Sequence, residues 1–349
     1  MVAPIRVLVV DDSALIRQLL TTILNQDPQI EVVGTAPDAI KARERIKKLH
    51  PDVLTLDIEM PKMNGIEFLQ KIMKLRPMPV VMVSSLTQQG AEITLKALEL
   101  GAIDFVAKPQ SDLQRGLTEK AQEIVEKVKM AAGATVHPLD MGAGEVPVEF
   151  HRESDGGSGN KKMIVIGAST GGVEALRVVL TRLPRDMPPI FIVQHMPKLF
   201  TGAFARRLDR MSVLNVHEAE DGMIAQEGNV YIAPGDSHLK VGWENQQLVC
   251  RLEQSAPVGG HIPSVEVLFE SALKVSPAKT VGVMLSGMGK DGAEAMLALK
   301  KSGAYTIGQN KRSCVVYGMP KTAFDIGAIE QVCDLTKIPQ ALIDICAVK

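Results

Sequence analysis

Short apolar runs alternate with amphipathic helical segments in the first part of the chain, and this alternation is the feature that most constrains the fold. The run IRVLVV at residues 5–10 is rich in β-branched residues, and apolar side chains then recur at helical spacing behind Ser13, an N-cap candidate. Four further strand-like runs follow, with helical segments between them: EVVGTA, DVLTLD, PVVMVSS and IDFVAK. Strands joined by helices run parallel with right-handed crossovers, and helices cover both faces of the sheet. The pattern therefore predicts a doubly wound α/β domain over residues 1–131.

A change of composition divides the chain near its middle. Residues 132–160 carry glycine, proline and charge without a sustained period, which predicts an interdomain linker. A second series of strand-like runs then begins: MIVIG, PIFIVQH, VLNVHE, NVYIAP, LVCRL and TVGVMLS. Close spacing and turn residues within the segment NVYIAPGDSHLKVGWENQQLVCRL predict an antiparallel hairpin. We expect residues 161–349 to form a second domain, with a doubly wound, mostly parallel sheet and this hairpin.

Composition excludes several classes of protein. Lys and Arg total 39 against 40 for Asp and Glu, so the balance of charge gives no support to capture of nucleic acid or of an anionic membrane. The four cysteines have no CxxC spacing, which is typical of reduced structural thiols and not of a metal site. We find neither a signal peptide nor an apolar run long enough to cross a bilayer. We therefore expect a cytoplasmic protein that does not insert into membranes and that is a monomer.

Charged residues fall where strands of the first half end. Asp11 and Asp12 follow the first strand, Asp57 closes the third and Lys108 ends the fifth. In a doubly wound sheet these ends converge on one pocket, where clustered carboxylates would repel one another unless a hard cation such as Mg²⁺ lay among them. A carboxylate beside that cation can attack a phosphoryl group, with Lys108 as a fixed positive charge. Each residue alone would fit a helix cap or a surface position, but their grouping favours a phosphorylation site.

The segments VLVVDDSALIR, DVLTLDIEMPKMNGIEFL, VVMVSSLT and DFVAKP resemble the receiver domain of two-component response regulators, a flavodoxin-like (βα)5 fold. The resemblance implies that Asp57 accepts phosphate from a histidine kinase, that Ser84 senses the phosphoryl group and that Lys108 holds it. It also implies a cis bond before Pro109. The Mg²⁺ ligands that it implies, directly or through water, are Asp11, Asp12, Asp57 and the backbone carbonyl of Glu59.

The turn GASTGG after the strand MIVIG carries a candidate nucleophile, Ser169. It satisfies G-x-S-x-G, the pattern of a strand-to-helix elbow that exposes a serine hydroxyl at a helix N-terminus. A glycine-rich turn of this kind would equally suit tight packing or a bound phosphate, although it lacks the Walker lysine. Taken alone, the turn leaves these three interpretations open.

A serine nucleophile needs a base and an orienting carboxylate. His195 directly follows the buried run PPIFIVQ, so it would emerge at the same edge of the sheet as Ser169. Spacing alone does not exclude the three histidines in turn-like surroundings, which are His217, His238 and His261. Asp291 follows another strand in the glycine-dense turn SGMGKDG, where it would also suit a helix cap. The density of glycine there indicates a close approach of the backbone to another group.

These stretches, together with APGDSHL and CVVYGMP, resemble the chemotaxis protein-glutamate methylesterases, in which a catalytic domain follows a receiver domain. The resemblance implies Ser169 as the nucleophile, His195 as the general base and then acid, and Asp291 as the group that orients His195. It adds the Met288 amide and the Thr170 side chain as oxyanion or positioning groups. The substrates that it implies are glutamyl methyl esters on the cytoplasmic domains of methyl-accepting chemoreceptors, with deamidation of receptor glutamines as a further activity.

Two other functions would also fit parts of the sequence. A receiver-controlled transcription factor would need a basic helix-turn-helix after the linker, but the second half has an α/β pattern instead. A hydrolase of some other ester or amide fits the same residues, because only the family resemblance selects receptor glutamates.

Overall fold

A computed structural model of the chain describes residues 3–85, 87–109, 113–136 and 163–347. These residues form two compact units, one from each half of the sequence. Residues 137–160 of the predicted linker lie outside the described residues, and the boundaries at 131 and 161 stay predictions. Within the described part, no helix is both long enough and apolar enough to pass through a bilayer.

The N-terminal unit is a parallel five-stranded sheet flanked by helices, so the predicted flavodoxin-like fold is confirmed. The strand order is β2-β1-β3-β4-β5. The strands are β1 (Ile5–Val10), β2 (Ile30–Ala36), β3 (Val53–Asp57), β4 (Val80–Ser85) and β5 (Asp104–Lys108). The helices are α1 (Ala14–Asn25), α2 (Ala39–Leu49), α3 (Gly65–Leu75), α4 (Gln88–Glu99), α5 (Leu113–Glu119) and α6 (Ala121–Ala132).

The local sequence explains how this unit is built. The central strands β1 and β3 are largely buried because helices cover both faces of the sheet, which is why apolar residues predominate in their sequences. Helix α1 begins where the Ser13 side chain accepts a hydrogen bond from the Ile16 N–H, and it packs its apolar stripe on the sheet. The strand order reverses between β1 and β3, so Asp11 and Asp57 lie on either side of the point where ligands bind in such sheets.

The C-terminal unit is a second α/β unit with more strands. Its strands are β6 (Met163–Ala168), β7 (Ile190–Gln194), β8 (Asn215–Glu218), β9 (Asn229–Ile232), β10 (His238–Glu244), β11 (Gln247–Glu253), β12 (Thr280–Met284), β13 (Tyr305–Gln309) and β14 (Gln331–Cys333). Its helices are α7 (Gly172–Leu180), α8 (Lys198–Met211), α9 (Val265–Val275), α10 (Ala293–Lys301), α11 (Met319–Asp325) and α12 (Ile338–Ala347). All four cysteines are buried and free, as expected for structural thiols.

Seven of these strands form one parallel sheet with the order β14-β13-β12-β6-β7-β9-β8. The first strand of the unit, β6, is central, with β7 on one side and β12 on the other. The chain therefore winds outwards in both directions from β6, which confirms the doubly wound architecture. Loops that leave the carboxyl ends of β6, β7 and β12 meet at one edge of the sheet.

The predicted hairpin is confirmed as β10 and β11, which pair antiparallel. It forms a two-stranded sheet of its own, separate from the seven-stranded sheet. The strands β13 and β14 extend the large sheet at one edge beyond the runs identified in the sequence. Strand β14 has only three residues and its central side chain, Val332, is exposed, so its own sequence gives no strand signal.

Helix α9 packs closely on β6 because Gly167 has no side chain. A Cβ at Gly167 would lie 2.3 Å from Cγ1 of Val265, and a Cβ at Gly292 would meet the same atom at the same distance. Val265 is fully buried and fills the space that the two glycines leave. This contact fixes the start of α9 against the carboxyl end of β6.

Replacing Gly167 with alanine should overpack this contact. We expect Gly167→Ala to lower the free energy of unfolding by about 1–3 kcal/mol, measured by urea denaturation of the full chain. Val265→Ala should partly offset that loss, so the double variant is more stable than the sum of the single effects predicts. Gly282→Ala on the adjacent strand is the matched control, since its nearest neighbour would be at 3.7 Å. An additive double variant would contradict the proposed steric contact.

Candidate active site

The N-terminal unit gathers the predicted acidic residues around one lysine. The Lys108 ammonium lies 2.7 Å from Oδ1 of Asp57 and 3.0 Å from Oδ2 of Asp11. Carboxylate oxygens of Asp11, Asp12 and Asp57 all lie within 4.8 Å of one another. Asp11 and Asp57 are buried, whereas Asp12 is exposed. The carboxyl ends of β1, β3 and β5 therefore form the pocket that the sequence predicts.

The pocket holds more negative charge than Lys108 offsets. Burial raises the pKa of Asp57 to about 6, with Lys108 opposing that shift and Asp11 adding to it. Burial likewise raises the pKa of Asp11. Burial alone would lower the pKa of Lys108, but the two carboxylates outweigh it and raise that pKa. Oxygen donors with excess negative charge are the ligand set that suits a hard divalent cation.

The remaining predicted residues of this pocket lie next to Asp57. Ser84 is buried near the end of β4, where its hydroxyl accepts a hydrogen bond from Thr94 Oγ1 at 2.7 Å. The Glu59 amide donates to Oδ1 of Asp57 at 3.4 Å, and the Glu59 carboxylate accepts from the hydroxyl of Ser85. Among the described residues the cis peptide bond is Ile262–Pro263, so the expected cis bond before Pro109 is wrong.

Ser169 lies directly after β6, in a turn held by backbone hydrogen bonds. Its N–H donates to the Ser286 carbonyl at 3.0 Å, and its carbonyl accepts from the Gly172 N–H at 2.7 Å. Gly171 has a φ of 77°, a conformation that glycine adopts without strain, and helix α7 follows at once. Because a neighbouring strand and its own helix hold the turn, the position of Ser169 is fixed by the sheet.

His195 occupies the matching position on the next strand. Ala168 and Gln194 pair across β6 and β7, so Ser169 and His195 are the first residues beyond one pair of neighbours. The His195 N–H donates to the Ala168 carbonyl at 3.1 Å. The Gln194 side-chain amide donates to the carbonyls of Ser169 at 2.9 Å and of His195 at 3.2 Å. The structure therefore joins the two chain segments that carry these predicted residues.

Asp291 lies in the loop after β12 and contacts His195, which follows β7; the strand β6 lies between those two strands in the sheet. Its Oδ2 lies 2.8 Å from Nε2 of His195 and also accepts from the Val265 N–H at 2.7 Å. Its Oδ1 accepts from the Ser264 hydroxyl at 2.8 Å and from the Glu266 N–H at 3.1 Å. Asp291 thus lies at the N-terminus of α9 and satisfies its first amides, as a capping carboxylate does. A cap was one of the roles open to it from sequence, but the helix that it caps is α9 and not the adjacent α10.

These contacts keep the Asp291 carboxylate ionised. Burial alone would raise the pKa of Asp291, but the hydrogen bonds from His195, the Val265 N–H and the Ser264 hydroxyl outweigh it and lower that pKa. An ionised carboxylate accepts hydrogen bonds only, so the hydrogen-bond network assigns the proton to Nε2 of His195. Nδ1 is buried and has no hydrogen-bond partner among the described residues. The Asp291 contact therefore leaves Nδ1 as the His195 nitrogen that is not bound to a carboxylate.

The glycine-dense loop after β12 approaches Ser169 closely, as its composition predicts. A Cβ at Gly287 would lie 2.8 Å from the Cβ of Ser169 and 2.4 Å from the sulfur of Met319. Met288, the next residue, is exposed at the edge of the sheet, and Thr170 is buried in the turn that follows Ser169. The structure thus places both predicted support residues beside the serine turn, and their roles stay predictions.

The structure separates the three histidines that sequence spacing left open. Nε2 of His217, in β8, lies 3.0 Å from Oδ1 of Asn229, in the neighbouring strand β9. His238 is buried, and its Nδ1 accepts from the Ser264 N–H at 3.1 Å. His261 stacks on His195, with the ring centroids 4.0 Å apart. Of the three, His261 alone contacts the base candidate.

The sequence did not reveal three residues whose side chains hydrogen-bond to the segments carrying Ser169, His195 and Asp291. Gln194 positions both the serine turn and His195, and the available signal was a polar side chain at the end of the buried run IFIVQ. The Ser286 hydroxyl donates to the Thr170 carbonyl at 2.8 Å and accepts from the Val316 N–H at 3.0 Å. The position of Ser264 before α9 predicts an ordinary N-cap, but its hydroxyl donates a hydrogen bond to Asp291.

Comparison with known proteins identifies the family of each unit. The CheB methylesterase family matches residues 164–342, and the response regulator receiver domain matches residues 7–121. The chain is 53% identical over 348 residues to protein-glutamate methylesterase/protein-glutamine glutaminase 1 of Caulobacter vibrioides, with 99% of each chain covered. It is 50% identical over 345 residues to the protein-glutamate methylesterase/protein-glutamine glutaminase of Thiobacillus denitrificans, covering 98% of this chain and 97% of that one.

A solved structure resembles the C-terminal unit. The CheB methylesterase catalytic domain of Thermotoga maritima is 41% identical with a TM-score of 0.52, and the match covers 53% of this chain and 98% of that one. The chain belongs to the CheB methylesterase family, with a response regulator receiver domain ahead of the methylesterase domain.

Proposed function

We propose that this chain is a phosphorylation-regulated protein-glutamate methylesterase and protein-glutamine glutaminase that acts on chemoreceptors in bacterial chemotaxis. The observation that carries the proposal is the 2.8 Å contact between His195 Nε2 and Asp291 Oδ2 at the edge of the sheet where the Ser169 turn ends. The relatives named above bear both activities in their names. The proposed domains are a receiver at 1–131, a linker at 132–160 and a catalytic domain at 161–349.

Ester cleavage begins with the Ser169 hydroxyl. Nδ1 of His195 takes the hydroxyl proton as Ser169 Oγ attacks the carbonyl carbon of the glutamyl methyl ester. The imidazolium that forms is stabilised by the ionised Asp291 at Nε2. As the tetrahedral intermediate collapses, His195 returns the proton to the departing methoxide, and methanol leaves behind an acyl-serine.

Water then completes the reaction. Water attacks the acyl-serine while His195 accepts a proton from that water. His195 then returns the proton to Ser169 Oγ as the ester bond breaks and the glutamate carboxylate departs. A glutamine side chain would follow the same course with ammonia as the leaving group. The Met288 amide and the Thr170 side chain, both beside the serine turn, would donate to the oxyanion or position His195.

Phosphorylation belongs to the acidic pocket of the receiver. Asp57 is the proposed acceptor of a phosphoryl group from a histidine kinase, and Lys108 contacts its carboxylate already. The residues that would hold Mg²⁺ are Asp11, Asp12, Asp57 and the Glu59 carbonyl, and the ion would neutralise charge on the transferring oxygens. Ser84, near the end of the adjacent strand, would sense the phosphoryl group.

The setting of the protein follows from these activities. Its proposed partners are a chemotaxis histidine kinase and the cytoplasmic domains of methyl-accepting chemoreceptors, and its proposed location is the cytoplasm. We propose a monomer that binds no nucleic acid and does not insert into the membrane, in line with the balanced charge.

Removing the serine hydroxyl should abolish ester hydrolysis. We expect Ser169→Ala to lower turnover by roughly 10⁴- to 10⁶-fold, measured as methanol released from methylated receptor fragments. Ser302→Ala, at an exposed position after α10, is the control and should keep wild-type turnover. Wild-type methanol release by the Ser169 variant would exclude this residue as the nucleophile. Activity on a small ester but not on receptor fragments would favour another substrate.

Removing the phosphoryl acceptor should abolish stimulation and leave basal activity. We expect Asp57→Asn to show no rise in methanol release on addition of a small phosphodonor with Mg²⁺, whereas wild type responds. Asp52→Asn is the matched control, because Asp52 is exposed and its carboxylate accepts a hydrogen bond from the Arg6 N–H, away from the acidic pocket. Full stimulation of the Asp57 variant would place the acceptor elsewhere.

The raised pKa of Asp57 predicts a pH-dependent cost to the receiver fold. The pKa is about 6 in the folded chain against an ordinary 3.8, so the associated stability is present below pH 3.8 and is lost as pH rises through 6. A shift of about two units corresponds to about 3 kcal/mol. Without Mg²⁺ at pH 8, Asp57→Asn should therefore protect the β3 amides from hydrogen exchange more than wild type does, by up to that amount.

The difference between the two chains should shrink towards pH 5, and Mg²⁺ at pH 8 should protect wild type more than the variant. Equal protection of both chains at pH 8 would contradict the assignment of excess negative charge to this pocket.

A further inference from the structure

A second imidazole lies against the base candidate of the catalytic domain. The rings of His261 and His195 have centroids 4.0 Å apart and planes that differ by 5°, so they stack face to face. His261 belongs to the segment between β11 and α9, where it exchanges two backbone hydrogen bonds with Val258, each of 3.0 Å. Three residues after His261 the chain reaches Ser264 and then Val265, which donate hydrogen bonds to Asp291. One short segment therefore carries contacts to both His195 and its carboxylate partner.

The hydrogen bond to Asp291 alone does not fix the orientation of the His195 ring plane. A hydrogen bond at Nε2 fixes that nitrogen but permits the ring to rotate about the axis through it. The parallel ring of His261 restricts this rotation, because a tilted ring would lose the stacking contact. With the plane fixed, Nδ1 keeps one direction. A base must hold such a direction to take a proton from a hydroxyl.

The charge state of His261 matters as much as its shape. Burial lowers the pKa of His261, and His195 lowers it further, whereas Asp291 acts in the opposite direction. His195 and Asp291 are the charged neighbours that affect this ring, and burial together with His195 outweighs the opposite effect of Asp291, so the pKa of His261 is lowered. A neutral aromatic face next to a forming cation is favourable, whereas two stacked imidazolium rings would repel strongly.

We propose that His261 is a positioning residue for the general base: its neutral ring stacks on His195, fixes the plane in which Nδ1 faces the serine turn, and leaves His195 as the ring of the pair that takes the catalytic proton. This inference rests on the proposed ester hydrolysis. It assigns a role in the reaction to a residue outside the serine, histidine and aspartate named above.

Kinetics of two substitutions test the positioning role. We expect His261→Ala to lower kcat by roughly 10- to 100-fold with KM within about twofold, because the substrate still binds while the base is misdirected. His261→Phe keeps a planar ring, so it should retain kcat within about threefold of wild type. His217→Ala is the matched control, since His217 stacks on Tyr231 away from the site. Wild-type kcat in His261→Ala, or an equal loss in the Phe and Ala variants, would overturn the proposal.

Titration of the rings by NMR tests the coupling without any need for hydrolysis. In His195→Gln the pKa of His261 should rise, because the neighbouring positive charge is gone, and in His217→Ala it should not change. An unchanged His261 titration in His195→Gln would refute the coupling. Should wild type release no methanol from receptor fragments, the proposed function fails, and the titration still decides whether the two rings act as a pair.

Discussion

The hydrogen bonds of the buried Asp291 carboxylate hold together the segments around Ser169 and His195 in the C-terminal unit. It joins the loop after β12, the N-terminus of α9 and the end of β7, because its two oxygens accept from Ser264, Val265, Glu266 and His195. A buried charge is tolerated only where hydrogen bonds replace its hydration, and here they do. Loss of this carboxylate would leave the first amides of α9 and the His195 ring without their shared acceptor. The same group thus anchors the start of α9 and fixes the tautomer of His195.

The two units show how one architecture gives opposite electrostatics. Both are doubly wound sheets with buried carboxylates at the strand order reversal. The Asp291 carboxylate accepts hydrogen bonds from four donors, which outweigh its burial, so its pKa is lowered and it stays ionised. Asp57 shares one lysine with Asp11, so its pKa is raised to about 6 and its charge is poorly satisfied. The satisfied carboxylate is suited to orient a histidine, and the poorly satisfied one is suited to bind a cation and react.

Sequence reasoning located the strands and the residues at their ends because both signals are local. An apolar run marks a buried parallel strand, and the next polar residue must lie at the edge of the sheet, which identified Ser169, His195, Asp57 and Lys108. The stack of His261 on His195 and the bond from Ser264 to Asp291 were not accessible, since they depend on where a segment far away along the chain returns. The short strand β14 was missed for a related reason: its pairing with β13, and not its own composition, makes it a strand.

Strand order also explains which nitrogen of His195 contacts the Asp291 carboxylate. His195 leaves β7 on one side of β6, with its N–H bonded to the Ala168 carbonyl next to Ser169. Asp291 comes from the loop after β12, on the other side of β6, and binds Nε2, the nitrogen farther from the main chain. Nδ1 lies nearer the main chain, which at this point is bonded to the strand that carries the serine. The order β12-β6-β7 thus brings the Asp291 carboxylate to the outer nitrogen of His195, which leaves Nδ1 without a hydrogen-bond partner among the described residues.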